Sequence, residues 1–214
     1  MIFLGKELIF PDVETASTEG IVAIGGDLSP ERLILAYKSG IFPWYNEGEP
    51  IIWYSPNSRM VLYPEHLKIS KSMQQVLRKG DFKITYNQNF EEVIHQCKNI
   101  YRKDQGGTWI TNSMEDSYIN LHKMGMAKSV EVWQNNELVG GLYGVDLGNI
   151  FCGESMFSKV SNMSKVAFIH LAKKLEKDNY KLIDCQVYNA HLASLGAVEI
   201  PRKDFIEILQ IEGL

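Results

Sequence analysis

The chain lacks most of the marks of the specialised protein classes. Three cysteines in 214 residues, none in Cys-x-x-Cys spacing, cannot pair completely or build a four-cysteine zinc site. A disulfide scaffold is therefore excluded and a reducing compartment is favoured. No apolar run approaches the roughly 18–20 residues that a membrane-crossing helix needs. The opening MIFLGKELIF is broken by Lys6 and Glu7, which is not the pattern of a secretory leader. Seventeen Gly and seven Pro are too few for a collagen-like or low-complexity chain. Positive charge is not in excess either: 22 Lys and Arg face 26 Asp and Glu. Any nucleic-acid contact must then come from a local patch. The five His show no metal-ligand spacing, so no metal is expected. What remains, at 45% hydrophobic and 22% charged, is a globular chain of one large domain or two small ones. It is expected to be soluble, cytoplasmic and monomeric.

Residues 1–60 hold eight acids and four bases, together with most of the turn signals: FPDVETASTEG, GGDLSP, KSGIFPWYNEGEP and YSPNSR. They are expected to form a small loop-rich domain with one clear helix, capped by Ser29, started by Pro30 and stopped at Gly40. Residues 61–214 are expected to form a larger α+β domain. Ser70 and Gly80 bracket a helix, and Phe82–Tyr86 reads as a strand. Phe90–Cys97 reads as a helix, and Asn112 and Glu115 have the spacing of a capping box. Three strands follow, Ser129–Gln134, Leu138–Val145 and Ile150–Phe157, the first two joined by the turn Asn135-Asn136. Next come a long amphipathic helix from Asn162, a strand Leu182–Val187, and short helices from Ala190 and Lys203. A meander, a helix and a further strand is the order of an acyl-transfer fold in which a splayed sheet holds an acyl donor; that link is analogy.

Two segments place polar groups where burial is expected. In FCGESMFS, strand alternation would put Cys152, Glu154, Met156 and Ser158 on one face. A carboxylate among apolar neighbours is costly unless it has a partner or a task. In IDCQVYN, Asp184 and Gln186 would share a face, with Cys185 opposite. Glu154, Asp184 and Gln186 could line one polar slot, or each could simply satisfy nearby backbone. Cys152 and Cys185, with His170 and His191 as bases, form a weaker nucleophile set, since Cys152 reads as core. Trp44, Trp53 and Trp109 are either core filler or flat surfaces for a base. Lys68, Lys71, Arg78, Lys79 and Lys83 meet only Asp81, which makes one local basic stretch.

Taken together, the segments IVAIGGDLSPERLILAYKSGIFPWY, IIWYSPNSRMVLYPEHLKISKSM, TWI, SVEVW, LVGGLYGV, FCGESMFS, LIDCQ, HLASLGA and IPR resemble the leucyl/phenylalanyl-tRNA–protein transferase family. The likeness runs from about Phe10 to Phe205, nearly the whole chain. It implies a small N-terminal domain beside a larger acetyltransferase-like (GNAT-type) domain with a splayed mixed sheet. It also implies transfer of Leu or Phe, less readily Met, from aminoacyl-tRNA to the N-terminal Arg or Lys of a protein. The product is marked for N-degron proteolysis, and no cofactor is needed. By the same resemblance Gln186 contacts the reacting amine with Asp184 behind it, and Glu154 binds the donor's α-amino group or steadies the tetrahedral state. Asn189 helps hold that cluster. Because a neutral amide is a very weak base, Gln186 is better read as an orienter and Asp184 as the proton sink. Leu142, Phe151, Met156, Phe168, Leu175 and Ile183 would line the side-chain pocket. Trp44 and Trp109 would embrace the terminal adenosine, and Lys68, Lys71, Arg78, Lys79 and Lys83 would follow phosphates without reading bases.

Two other functions fit parts of the pattern. An acyl-CoA-dependent small-molecule acyltransferase would want a Gly-rich run of backbone amides, and Ser161-Asn162-Met163-Ser164-Lys165 is not one. A non-enzymatic tRNA or peptide adaptor would keep Trp44 and the basic stretch but would not need Asp184 and Gln186.

Overall fold

Local signals fix the elements. Asn135 and Asn136 both adopt positive φ, at 49° and 65°. That is the turn whose twist matches a two-residue hairpin, and it joins β7 (Ala127–Gln134) to β8 (Glu137–Asp146). β9 (Ile150–Ser158) completes the meander. Ser70 accepts a hydrogen bond from the Met73 N–H and Gly80 closes the same helix in the left-handed region, so α2 spans Lys71–Lys79. The helix after residue 110 is capped by Thr111, not by Asn112: the Thr111 hydroxyl accepts from the Met114 N–H. Glu115 reaches sideways to Lys98 and His95 rather than back to the cap.

The computed structural model describes residues 2–100 and 109–214. β1 (Phe3–Leu4), β2 (Ile21–Gly25), β3 (Phe42–Pro43) and β4 (Ile52–Tyr54) form a four-stranded sheet in the order β1-β2-β4-β3, beside α1 (Pro30–Lys38). The second sheet has seven strands in the order β11-β5-β10-β9-β8-β7-β6. It adds β5 (Ser58–Leu62), β6 (Lys83–Tyr86), β10 (Leu182–Gln186) and β11 (Val198–Pro201) to the meander. Ser58, Arg59 and Met60 thus belong to the larger sheet. This is a mixed α/β fold, and β9 with β10 is the parallel pair of the large sheet.

One face of that sheet packs with α1, α3 (Phe90–Asn99), α4 (Asn112–Lys123) and α7 (Arg202–Ile211), burying Tyr37, Val93, Tyr118 and Phe205. The other packs with α2, α5 (Met163–Lys177) and α6 (Ala190–Ala193), burying Met73, Phe168 and Leu192. No helix of the described residues is long and apolar enough to cross a membrane.

Candidate active site

The site forms where two parallel strands part. β9 and β10 pair only at Ile150–Leu182, Phe151–Ile183 and Cys152–Asp184. Beyond that point each is bulged. On β9, Gly144 faces Gly153 and Tyr143 faces Ser155, which leaves Glu154 as the extra residue. On β10, Val61 faces Asp184 and Met60 faces Gln186, which leaves Cys185 extra. A bulge redirects a side chain and ends regular pairing. The strands are tight beside it: a Cβ on Gly144 would stand 2.2 Å from the Cys152 carbonyl oxygen.

The β9 bulge overturns the expectation that Cys152, Glu154, Met156 and Ser158 share a face. Cys152 packs in the first core, whereas Met156 packs against the second with Leu142, its partner across the pair. An extra residue reverses the alternation beyond it.

Between the parted strands lies a cavity of about 510 Å³. Leu142, Phe151, Met156, Phe168 and Ile183 line it, with Leu171 and Leu192. Leu175 does not; it is buried in the core one helical turn beyond Leu171. Trp44 and Trp109 stand at the aromatic side with Phe42. Trp44 is 42% exposed and tilted on Tyr54, whereas Trp53 is core, its Nε1 donating to the Gly25 carbonyl at 2.9 Å. Asn189 lines the cavity while its Oδ1 caps α6, accepting from the His191 and Leu192 N–H groups.

The polar side is a directed network. Gln186 Nε2 donates to Glu154 Oε1 at 2.7 Å, and the Tyr118 hydroxyl donates to Glu154 Oε2 at 2.9 Å. Behind Tyr118 its hydroxyl meets that of Tyr37. Glu154 as a residue is only partly buried, but these partners enclose its carboxyl group. Burial raises its pKa to about 7, against the hydroxyls of Tyr37 and Tyr118, which favour the anion. Gln186 is held at φ 63°, a region non-glycine residues rarely adopt. Its N–H donates to Asp184 Oδ1 at 2.9 Å.

Asp184 is fully buried and does not line the cavity. Arg59 grips it through Nε at 2.8 Å and Nη2 at 2.7 Å, and Arg59 Nη1 donates to the Gly40 carbonyl. The guanidinium lies over the rings of Phe42 at 4.8 Å and Phe205 at 4.6 Å. Both Asp184 oxygens are thus engaged, by Arg59 and by the Gln186 N–H, and the carboxyl group that faces the cavity is that of Glu154. No motif in the sequence singles out Arg59, Tyr37 or Tyr118. The only signal for Arg59 is a cation followed by the apolar run Met60–Leu62, and its partner lies 125 residues away.

Both cysteines near the site are poor nucleophiles. Burial first, then the Asp184 charge, pushes the Cys152 and Cys185 thiols well up. His191 lines the cavity and is held below the usual histidine range by burial and by Lys165. Among the described residues no group of three or more His, Cys, Asp or Glu is placed to hold a metal ion. Lys68, Lys71, Arg78, Lys79 and Lys83 are all exposed; none lines the cavity. They run from the segment before α2, along α2, to β6 at the far edge of the large sheet.

Comparison with known proteins supplies the family. Residues 61–210 match the family model described as leucyl/phenylalanyl-tRNA protein transferase, and residues 26–57 match that of its N-terminal domain. The leucyl/phenylalanyl-tRNA–protein transferase of Flavobacterium johnsoniae is 64% identical over 98% of this chain and 99% of its own. That of Flavobacterium psychrophilum is 57% identical over 98% of this chain and 100% of its own, and that of Nitrosospira multiformis 54% over 97% and 90%. The chain therefore belongs to the leucyl/phenylalanyl-tRNA–protein transferase family, and the protein is an aminoacyltransferase that acts on proteins.

Proposed function

We propose that this chain moves Leu or Phe, and less readily Met, from aminoacyl-tRNA to the N-terminal Arg or Lys of a protein, which marks that protein for degradation. It acts as a monomer in the cytoplasm, through a small N-terminal domain and a catalytic domain whose boundary, expected at residue 60, falls before Ser58, where β5 enters the large sheet. The observation that carries the reading is the meeting of an apolar hollow with the Glu154–Gln186 pair in one cavity. Full burial of a Leu or Phe side chain there is worth about 1.5–3 kcal/mol.

The reaction is the aminolysis of an ester. The acceptor nitrogen bonds to the carbonyl carbon, the bond from that carbon to the ribose oxygen breaks, and one proton passes from nitrogen to the departing oxygen. Gln186 Nε2 donates a hydrogen bond to Glu154, so its Oε1 remains to accept one from the attacking amine and orient it. Glu154, poised near neutrality, takes the proton and returns it to the leaving oxygen. Orientation supplies most of the rest, since an activated ester needs little more than a held, neutral amine. Trp44 and Trp109 offer flat faces to the terminal adenine. Lys68, Lys71, Arg78, Lys79 and Lys83 offer charge to the tRNA phosphates.

The test is transfer of labelled Leu from charged tRNA to peptides beginning with Arg, Lys or Ala. Transfer to the first two and not the third is expected. No transfer at low salt, or equal transfer to the Ala peptide, overturns the reading.

A further inference from the structure

Two buried phenols lie behind the carboxyl group without a part in the chemistry so far. Tyr37 comes from α1 and is 1% exposed; Tyr118 comes from α4 and is 0% exposed. Each hydroxyl has one proton to give. The Tyr118 proton goes to Glu154 Oε2, so in the contact between the two phenols Tyr37 is the donor. Gln186 Nε2 donates to the other oxygen. Both oxygens of this carboxyl group therefore accept, an arrangement that suits an anion and leaves the next proton to come from the cavity side.

The remaining groups around Glu154 do not supply that anion with a counter-charge. Among the described residues they are Tyr143 on β8, edge-on to Tyr118 with ring centroids 5.5 Å apart, Cys152 on β9, and Asp184 on β10, whose charge opposes ionisation of Glu154. The Arg59 guanidinium is engaged by Asp184. Both tyrosines are pushed well above the usual phenol range, by burial first and then by the Glu154 charge, so they stay protonated and able to donate.

We propose that Tyr118 and Tyr37 are positioning residues for the transfer reaction: their clustered hydroxyls hold the Glu154 carboxylate against Gln186 so that its free side meets the substrate amine. This rests on the reading of Glu154 as proton acceptor. It gives α1, which lies beside the small sheet, a share in proton handling at the large one.

The experiment is the pH dependence of kcat/KM for an Arg-starting peptide at saturating charged tRNA, for the wild type, Tyr118→Phe, Tyr37→Phe and Glu154→Gln. Loss of a donor to the anion raises the carboxyl pKa, so the acid limb should move up by about one to two pH units in Tyr118→Phe. It should move up in Tyr37→Phe as well, and the high-pH plateau should be retained in both. A Tyr118→Phe limb that coincides with the wild type overturns the proposal, as does a lowered plateau with an unmoved limb, which is the signature of packing alone. The Glu154→Gln variant separates the two ideas. Its transfer should be lost at every pH; a wild-type profile in that variant rejects Glu154 as acceptor, whatever the tyrosines do. Should Tyr118→Phe fail to fold, a carbon-13 titration of the Glu154 carboxyl in substrate-free Tyr37→Phe decides: an upward shift sustains the proposal and an unmoved titration rejects it.

Discussion

Arg59→Met strips the Asp184 carboxylate of its partner while keeping most of the side-chain volume. Arg59 and Asp184 are 2% and 0% exposed, and two hydrogen bonds of 2.8 and 2.7 Å join them. A buried ion left without its partner costs about 3–5 kcal/mol, a large part of the roughly 5–15 kcal/mol that holds a domain folded. Loss of the cation from between the Phe42 and Phe205 rings adds about 0.5–2 kcal/mol. The urea midpoint should therefore fall by more than about 1 M. Combining the change with Asp184→Asn removes both charges and still offers a carbonyl oxygen to the Gln186 N–H. That double variant should recover most of the lost stability and more transfer activity than Arg59→Met alone. The assays are equilibrium urea unfolding and the initial rate of Leu transfer to an Arg-starting peptide. An Arg59→Met midpoint equal to the wild type's would refute the reasoning, because the pair would then not be a buried charge pair at all.

Three further outcomes are expected. The Glu154 carboxyl titrates at about 7 in the fold against an ordinary 4.5, so its contribution to stability is fully present below about 4.5 and is lost as pH rises to about 7. Glu154→Gln, neutral throughout, should raise the melting temperature relative to wild type at pH 8 and not at pH 4; an equal difference at both removes the burial argument. Trp109→Ala should weaken binding of charged tRNA by about 1–3 kcal/mol, the worth of one stacked base, which a filter-binding titration would read. Unchanged affinity would exclude Trp109 from the donor site. Replacing Lys71, Arg78 and Lys79 with Gln should flatten the salt dependence of tRNA affinity by about 0.7–0.9 in log–log slope for each phosphate that is no longer neutralised; an identical slope would make α2 plain solvated surface.

The sequence speaks most clearly where structure is local. The Asn135-Asn136 hairpin, the Ser70 cap and the Gly80 stop depend on residues within one turn of each other, and they are found as expected. Thr111 and Asn112 are both good caps, and sequence alone does not say which of two adjacent ones the chain will use. The misses at the site are non-local. A bulge at Glu154 depends on how β8 and β9 slide past each other, not on the FCGESMFS string, so alternation misassigns Met156. Gln186 has no glycine to advertise its left-handed backbone; its own neighbour, Asp184, holds it there. Arg59 and Tyr118 find their partners 125 and 36 residues away, across elements that no spacing rule connects. The motifs contain Glu154 and Gln186, which meet in the cavity, whereas the supports behind them are visible only once the chain is folded.

The two rings that sandwich Arg59 lie far apart along the polypeptide, one at Phe42 and the other at Phe205. During synthesis the second ring arrives long after the first, and Asp184 itself is made only shortly before it. A nascent chain that has emerged only through the meander leaves Arg59 without a carboxylate to bind, and both cores without the residues that the last strands and helices supply. The cleft is accordingly one of the last parts to assemble, and a ribosome-bound fragment ending before Asp184 should be inert toward the charged tRNAs that surround it.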